Sequence, residues 1–276
     1  MIWLIGCLPT FEDRAGRVDE PRILAVRGLP AEARPNAPIT LEALAVSPEE
    51  PMPSSVQWSY CEEPRTVDER TAVTAACAQG DALVSVTAAT VIPGDACARF
   101  GPNPPPVEGD EPPRRPADPD PTGGYFLPYQ AATEAARAFG FQRIRCDLSG
   151  ATRVIFDAFE DRYVENEHPT IEALLVPERL GVGETVTLGV RTAPEDAEPY
   201  VVYVAEESAL FDRIETLTAS FYTTAGGLSQ SRVELADGRA TTQFTAPSEP
   251  GVVEGWVVVV DARGGVVWDG FTMEIR

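Results

Sequence analysis

The chain opens twice in the same way, and that recurrence limits what it can fold into. Arg22-Ile23-Leu24-Ala25-Val26 runs to the turn Gly28-Leu29-Pro30, and a loop with Pro35 and Pro38 follows. Ile39, Leu41, Ala43 and Ala45 then alternate with Thr40, Glu42 and Leu44, and Ser47-Pro48-Glu49-Glu50 closes the run. In the second half Ile171, Ala173 and Leu175 alternate up to Pro177. After Gly181–Gly183, Val186, Leu188 and Val190 alternate with Thr185, Thr187 and Gly189, and Ala193-Pro194-Glu195-Asp196 ends the run as before. A period of two puts one face of each segment in a core and the other in water, which is the signature of a half-buried strand. Strand, Pro/Gly loop, strand, small-Pro-acid-acid, read twice, predicts two copies of one β-domain.

The remaining segments complete both copies. In the first, Val56–Cys61 places Val56, Trp58 and Tyr60 on one face, and Ala82–Val86, Tyr125–Gln130 and Phe139–Leu148 are further strands, with a short helical turn at Thr133–Ala138. In the second, Tyr200–Val204, the alternating Leu217, Ala219 and Phe221, and Ala240–Thr245 are strands, and Val252–Val260 is apolar on both faces, as for a central strand. Asp261-Ala262-Arg263-Gly264-Gly265 has hairpin-turn chemistry. In the last strand Val266 and Trp268 share one parity while Phe271, Met273 and Ile275 share the other, which predicts a bulge at Asp269-Gly270. The predicted class is all-β, with two sandwiches over 21–148 and 169–276. A helix over Ser149–Tyr163, capped by Ser149, and a linker Glu165–Pro169 join them; Ile155, Phe159 and Tyr163 give the helix its apolar stripe.

Charge narrows the partners. The formal net charge is −21, and all 22 basic residues are Arg. Phosphate binding needs a cationic face, so nucleic acid is excluded as the expected partner. Residues 102–121 hold nine prolines in 20 residues, which forbids a helix or a central strand there and predicts a solvated loop inserted in the first domain.

The cysteines speak for export. Setting Cys7 aside leaves Cys61, Cys77, Cys97 and Cys146, and the shortest loops pair Cys61 with Cys77 and Cys97 with Cys146. No CxxC occurs, so zinc ribbons and thioredoxin-like sites have no support. Leu4-Ile5-Gly6-Cys7 resembles the lipobox of bacterial lipoproteins, in which the signal is cut before a cysteine that is then lipidated. The residues ahead of Cys7 are too few for a full signal, a difference that an initiation site upstream of Met1 would explain. Residues 8–20 read as a polar tether.

Catalytic motifs are sparse. There is no Gly-x-Ser-x-Gly elbow, no P-loop, no Gly-x-Gly-x-x-Gly and no HExxH. His168 is the only histidine and is expected as a solvent-exposed linker residue. Two acidic clusters have the oxygen chemistry for calcium: Asp118 with Asp120 in the proline loop, and Glu165, Asn166 and Glu167 at the hinge. Trp58, Trp256 and Trp268 fall in strands, and Trp268, beside the predicted bulge, is the candidate exposed aromatic for a sugar.

Phe221-Tyr222-Thr223-Thr224-Ala225-Gly226-Gly227, then Thr245-Ala246-Pro247, Pro250-Gly251 and Val257–Val260 with Asp261-Ala262-Arg263-Gly264-Gly265, resemble bacterial Ig-like domains of surface proteins. The resemblance covers about Pro169–Arg276 and extends loosely to the first domain. With the lipobox it implies an envelope lipoprotein with tandem Ig-like domains. The expected role is non-catalytic: an exported binding or spacer module for a protein or glycan, held to the membrane through Cys7. The alternatives are an accessory subunit of an envelope or secreted complex, held through a sheet edge, and a carboxylate-based hydrolase.

Overall fold

The computed structural model describes residues 15–48, 55–64, 73–101, 121–148 and 151–276. Cys7, the proline loop with Asp118 and Asp120, and Ser149 lie outside them. The first unit runs through β1 (Arg22–Leu29), β2 (Glu32–Ala33), β3 (Pro38–Val46), β4 (Gln57–Cys61), α1 (Ala75–Gln79), β5 (Leu83–Val86), β6 (Ala89–Val91), α2 (Ala96–Phe100), β7 (Gly124–Ala132) and β8 (Arg137–Arg145). Helix α3 (Arg153–Glu160) follows. The second unit runs through β9 (Ile171–Leu175), β10 (Arg179–Leu180), β11 (Thr185–Thr192), β12 (Pro199–Val204), β13 (Ala209–Ile214), β14 (Thr218–Thr223), β15 (Gly227–Leu228), β16 (Arg232–Glu234), β17 (Arg239–Thr245), β18 (Gly251–Val260) and β19 (Val266–Ile275).

The two units share one topology. Sheets β1-β3-β6 and β2-β8-β7-β4-β5 form the first, and sheets β15-β17-β11-β9 and β10-β19-β18-β14-β16 the second. In each, a two-residue strand lies parallel to the last one, β2 on β8 and β10 on β19. The repeat in the sequence is therefore a repeat of Ig-like sandwiches, with eight strands of each in matching order and β15 added at one edge of the second. Between the sheets the alternation is plain: in β17 Ala240, Thr242 and Phe244 are buried while their neighbours are exposed. Trp58, Leu127, Tyr129 and Ile144 fill the first core, and Leu188, Phe221, Phe244 and Met273 the second. Burying side chains of this size contributes roughly 1.5–3 kcal/mol each before entropy is counted.

Both predicted disulfides form. Cys61–Cys77 ties the end of β4 to α1, and Cys97–Cys146 ties α2 to the residue after β8; both have Cα atoms 5.6 Å apart. Neither crosses between the sheets. They staple the connections to the sheet, where Ala96 and Phe100 of α2 also enter the first core.

Four expectations need correction. Thr133–Ala138 is no helical turn but the hairpin loop of β7 and β8, closed by Thr133 N–H on the Ala136 carbonyl at 2.7 Å. The connecting helix is shorter than its stripe suggests: it begins after Thr152, whose Oγ1 accepts from the Ile155 N–H at 3.4 Å. There is no bulge at Asp269-Gly270, since β18 and β19 pair without a register shift from Gly251↔Ile275 to Val260↔Val266. The last part of the expected tether is seated. Val18 is fully buried, its N–H donates to the Thr223 carbonyl at 3.0 Å, and the Thr223 N–H donates to the Gly16 carbonyl at 3.0 Å. Residues 16–18 thus occupy the edge of β14 beyond the end of β16, in the second sandwich.

The second unit also carries a hairpin that the first lacks. β12 and β13 form a separate two-stranded hairpin. Val201, Tyr203 and Leu210 of this hairpin pack with Leu148, Ile155, Phe159 and Tyr163. The apolar stripe of α3 therefore faces the hairpin. Gly123 lets α3 approach: at φ +68° it has no side chain, and a Cβ there would stand 2.8 Å from the Phe159 ring. The carbonyl of Pro121, where the proline-rich stretch ends, accepts from the Tyr203 N–H at 2.7 Å.

Candidate functional site

The densest polar chemistry lies where the linker passes between the sandwiches. It starts on the first. Arg143 sits on the outer face of β8, yet it is buried: its guanidinium lies against Gly124, and its Nη2 donates to the Thr122 carbonyl at 3.2 Å and hydroxyl at 3.1 Å. Its Nε donates to Glu32 Oε2 at 2.9 Å, and Glu32 is buried too. Glu32 also accepts from the Tyr163 hydroxyl and from the Asn166 N–H at 3.2 Å. Burial pushes the Tyr163 phenol up to about 12, so it remains a donor. Arg145 lies over the Tyr163 ring at 4.0 Å and pairs with Glu160 at 2.7 Å and Glu165 at 3.4 Å.

The second sandwich takes up the other side. Asn166 Nδ2 donates to Asp261 Oδ2 at 3.4 Å. Asp261 Oδ1 accepts from the Arg263 N–H at 2.8 Å and the Gly265 N–H at 2.9 Å, which shapes the β18–β19 turn. Gly265 is required there by close approach, since a Cβ would meet Asp261 Oδ2 at 2.0 Å and the Glu167 carbonyl at 2.5 Å. Arg263 is buried; its Nε donates to Glu215, its Nη2 to Glu198 at 2.6 Å and its Nη1 to the Val164 carbonyl at 2.7 Å. One guanidinium thus faces Glu215, Glu198 and the nearby Asp261. Burial, and next the charge of Asp261, push Glu215 up to about 7 against the pull of Arg263. Burial also raises Glu198. Glu215 Oε2 and Asn166 Oδ1 are buried without a hydrogen-bond partner.

His168 corrects its expectation. It is half-buried and bridges the sandwiches: Val266 N–H donates to its Nδ1 at 2.9 Å, and its Nε2 lies 2.9 Å from the Gly28 carbonyl. Only the neutral ring with hydrogen on Nε2 satisfies both contacts. Burial lowers its pKa accordingly. Beside it Arg27 pairs with Glu42 at 2.7 Å, donates to the Val266 carbonyl at 3.1 Å and stands 4.2 Å from the centroid of Trp268. Trp268, expected as an open aromatic, is half-buried under that guanidinium.

The hinge trio does not converge. Asn166 points inward to Asp261, Glu165 pairs with Arg145, and Glu167 is exposed. Among the described residues no three acidic, His or Cys side chains are grouped to hold a metal ion. A carboxyl near 7 is what a general acid needs, but the Glu215 side chain is fully covered, so no substrate reaches it. What the cluster does is hold two domains and their linker together. Sequence reasoning placed Arg263 and Asp261 in a turn and left Glu32, Glu198, Glu215 and Arg143 unremarked. The available signal was a buried-type charge, Arg143, inside the apolar run Phe139–Ile144.

No protein-family model and no curated protein matches this chain. Solved structures that resemble it include Escherichia coli alpha-2-macroglobulin activated by porcine elastase, at 14% identity and TM-score 0.27, covering 94% of this chain and 22% of that one. The D00-D0 domain of Intimin aligns at 9% identity and TM-score 0.27, covering 91% and 100%. A chimeric titin Z1Z2 tandem aligns at 12% identity and TM-score 0.26, covering 92% and 97%. The chain spans about a fifth of the length of the alpha-2-macroglobulin. Scores this low carry no argument about what the chain does.

Proposed function

We propose that the chain is a non-catalytic module of the bacterial envelope, exported and lipid-anchored through Cys7, whose two sandwiches bind or space a partner protein or glycan. The observation that carries this reading is the buried junction: its arginines are consumed in locking the domains into one unit, and the Glu215 side chain, its one carboxyl raised to about 7, is fully covered. The two disulfides favour an oxidising compartment. The seated segment adds an orientation. Ala15 lies eight residues after Cys7, so an anchor there stands within about 25–30 Å of the β14 edge. The lipid would hold the molecule near the second sandwich rather than at the far end of the first.

Mass spectrometry of the native N-terminus, expressed from an upstream initiation codon, tests the reading. A diacylated or triacylated Cys7 is the expected result; an uncleaved, unmodified Met1 overturns it.

A further inference from the structure

An open groove of about 450 Å³ lies on the outer face of β14 and β16, where the seated segment turns into β1. Ala15, Arg22, Ser220, Tyr222, Gln230, Ser231 and Arg232 line it. Its volume falls in the range of small-ligand sites. We infer that it binds a carboxylate-bearing sugar, a uronic acid residue of a polysaccharide; this deepens the glycan-binding form of the reading above and rests on it.

The lining carries the argument. Among the described residues ten of 17 arginines pair with carboxylates, Arg27, Arg99, Arg145, Arg191 and Arg263 among them. Arg22 and Arg232 have no carboxylate partner among the described residues. Arg22 is held in place from behind: its Nη1 donates to the Arg17 carbonyl at 2.8 Å and the Ala15 carbonyl at 3.3 Å, and it stands 5.9 Å from the Tyr222 centroid. A guanidinium has five N–H donors in a planar fork, so donors remain for an anion. Arg232 is exposed and pairs in register with Ser220, which sets both on one face of the sheet with Tyr222 two residues on. Asp19, Glu20 and Glu234 are exposed nearby but line none of the groove.

Two unmatched guanidinium groups select a carboxylate. Ser220, Ser231 and Gln230 supply neutral donors and acceptors for hydroxyl groups. Tyr222 adds an amphipathic ring beside them. A neutral sugar leaves the arginines unanswered, and a bare anion leaves the hydroxyl partners unanswered. Tyr222, half-buried like Trp268, is the aromatic ring this groove presents.

The test is calorimetric titration of the full chain with trigalacturonate, with maltotriose and with acetate, at low and physiological salt. Trigalacturonate should bind at least tenfold more tightly than either control and weaken as salt rises. Arg232→Ala should weaken it at least tenfold with no change in melting temperature, while Arg239→Ala, at an exposed arginine elsewhere, should leave it unchanged. Arg22→Ala also releases the seated segment, so Arg232→Ala is the deciding variant. Absence of trigalacturonate binding, equal binding of maltotriose or acetate, or binding unaffected by Arg232→Ala would each overturn the inference. Failure here with an acylated Cys7 leaves the envelope reading intact; an unmodified Met1 with uronate binding retained removes that reading alone.

Discussion

Arg27 of the first sandwich and Trp268 of the second meet face to ring, 4.2 Å from guanidinium carbon to centroid. The same guanidinium donates to the Val266 carbonyl. Arg27→Ala removes both contacts and should cost about 1–2 kcal/mol. Denaturant unfolding followed by tryptophan fluorescence checks it. A loss near zero would mean that the junction does not depend on this pair.

Glu215 makes the junction sensitive to alkali. Its value in the folded chain, about 7, lies above the ordinary 4.5. Its contribution is therefore complete below the ordinary value and is lost as pH rises through about 7. The wild-type chain should lose on the order of 1–3 kcal/mol relative to Glu215→Gln between pH 5 and pH 8. Parallel stability curves for the two proteins over that range would refute the assignment.

His168 works in the opposite sense. Its pKa is lowered below 6.5, so the folded chain prefers the neutral ring and stability falls as pH drops below that ordinary value. A proton on Nδ1 would face the Val266 N–H that now donates to it. The nitrogen-15 and carbon-13 shifts of the imidazole should report the neutral Nε2–H ring as the major form at pH 6.5, the ordinary histidine value. An imidazolium signature at that pH would contradict the bridge.

The two disulfides should not be worth the same. Their partners are 16 and 49 residues apart, which in the chain-entropy model corresponds to roughly 3 and 4 kcal/mol. Paired Cys→Ala replacement should lower the melting temperature more for Cys97 and Cys146 than for Cys61 and Cys77. The reverse order would show that native contacts around α1 outweigh loop entropy.

Removing residues 1–20 uncovers the β14 edge at Thr223 and the pocket of fully buried Val18. Unpaired strand edges recruit further strands. The shortened chain should associate at micromolar concentration, visible by light scattering, while the intact chain stays monomeric under the same conditions. Equal behaviour would show that the seated segment does not protect the edge.

Most of the fold could be read from the chain because strand periodicity and turn chemistry are local. The alternation of Ile39, Leu41 and Ala43, and of Val186, Leu188 and Val190, marks inward faces without reference to any partner. The parity change in the last strand has a cause other than a bulge. Val266 and Trp268 are apolar on the outer face because Arg27 and the first sandwich cover them, not because the strand bulges. Val258, opposite Trp268, is buried on that same face. The apolar stripe runs past the end of α3, because Tyr163 packs on the same cluster from the irregular segment that follows.

By itself the sequence determined the all-β class, the doubled topology, the positions of most strands and the pairing of four cysteines. All of these follow from alternation, from Pro and Gly placement and from short loop closure. The tertiary structure alone decided the junction: Glu32 with Arg143, Glu215 and Glu198 with Arg263, His168 between Gly28 and Val266, and the N-terminal segment on the far sandwich. A charged residue on an outer face reads as solvated until another part of the chain closes over it. What closes over it comes from far along the chain, 48 residues for Arg263 with Glu215 and 209 for Arg17 with Gly226, a reach that no local pattern encodes.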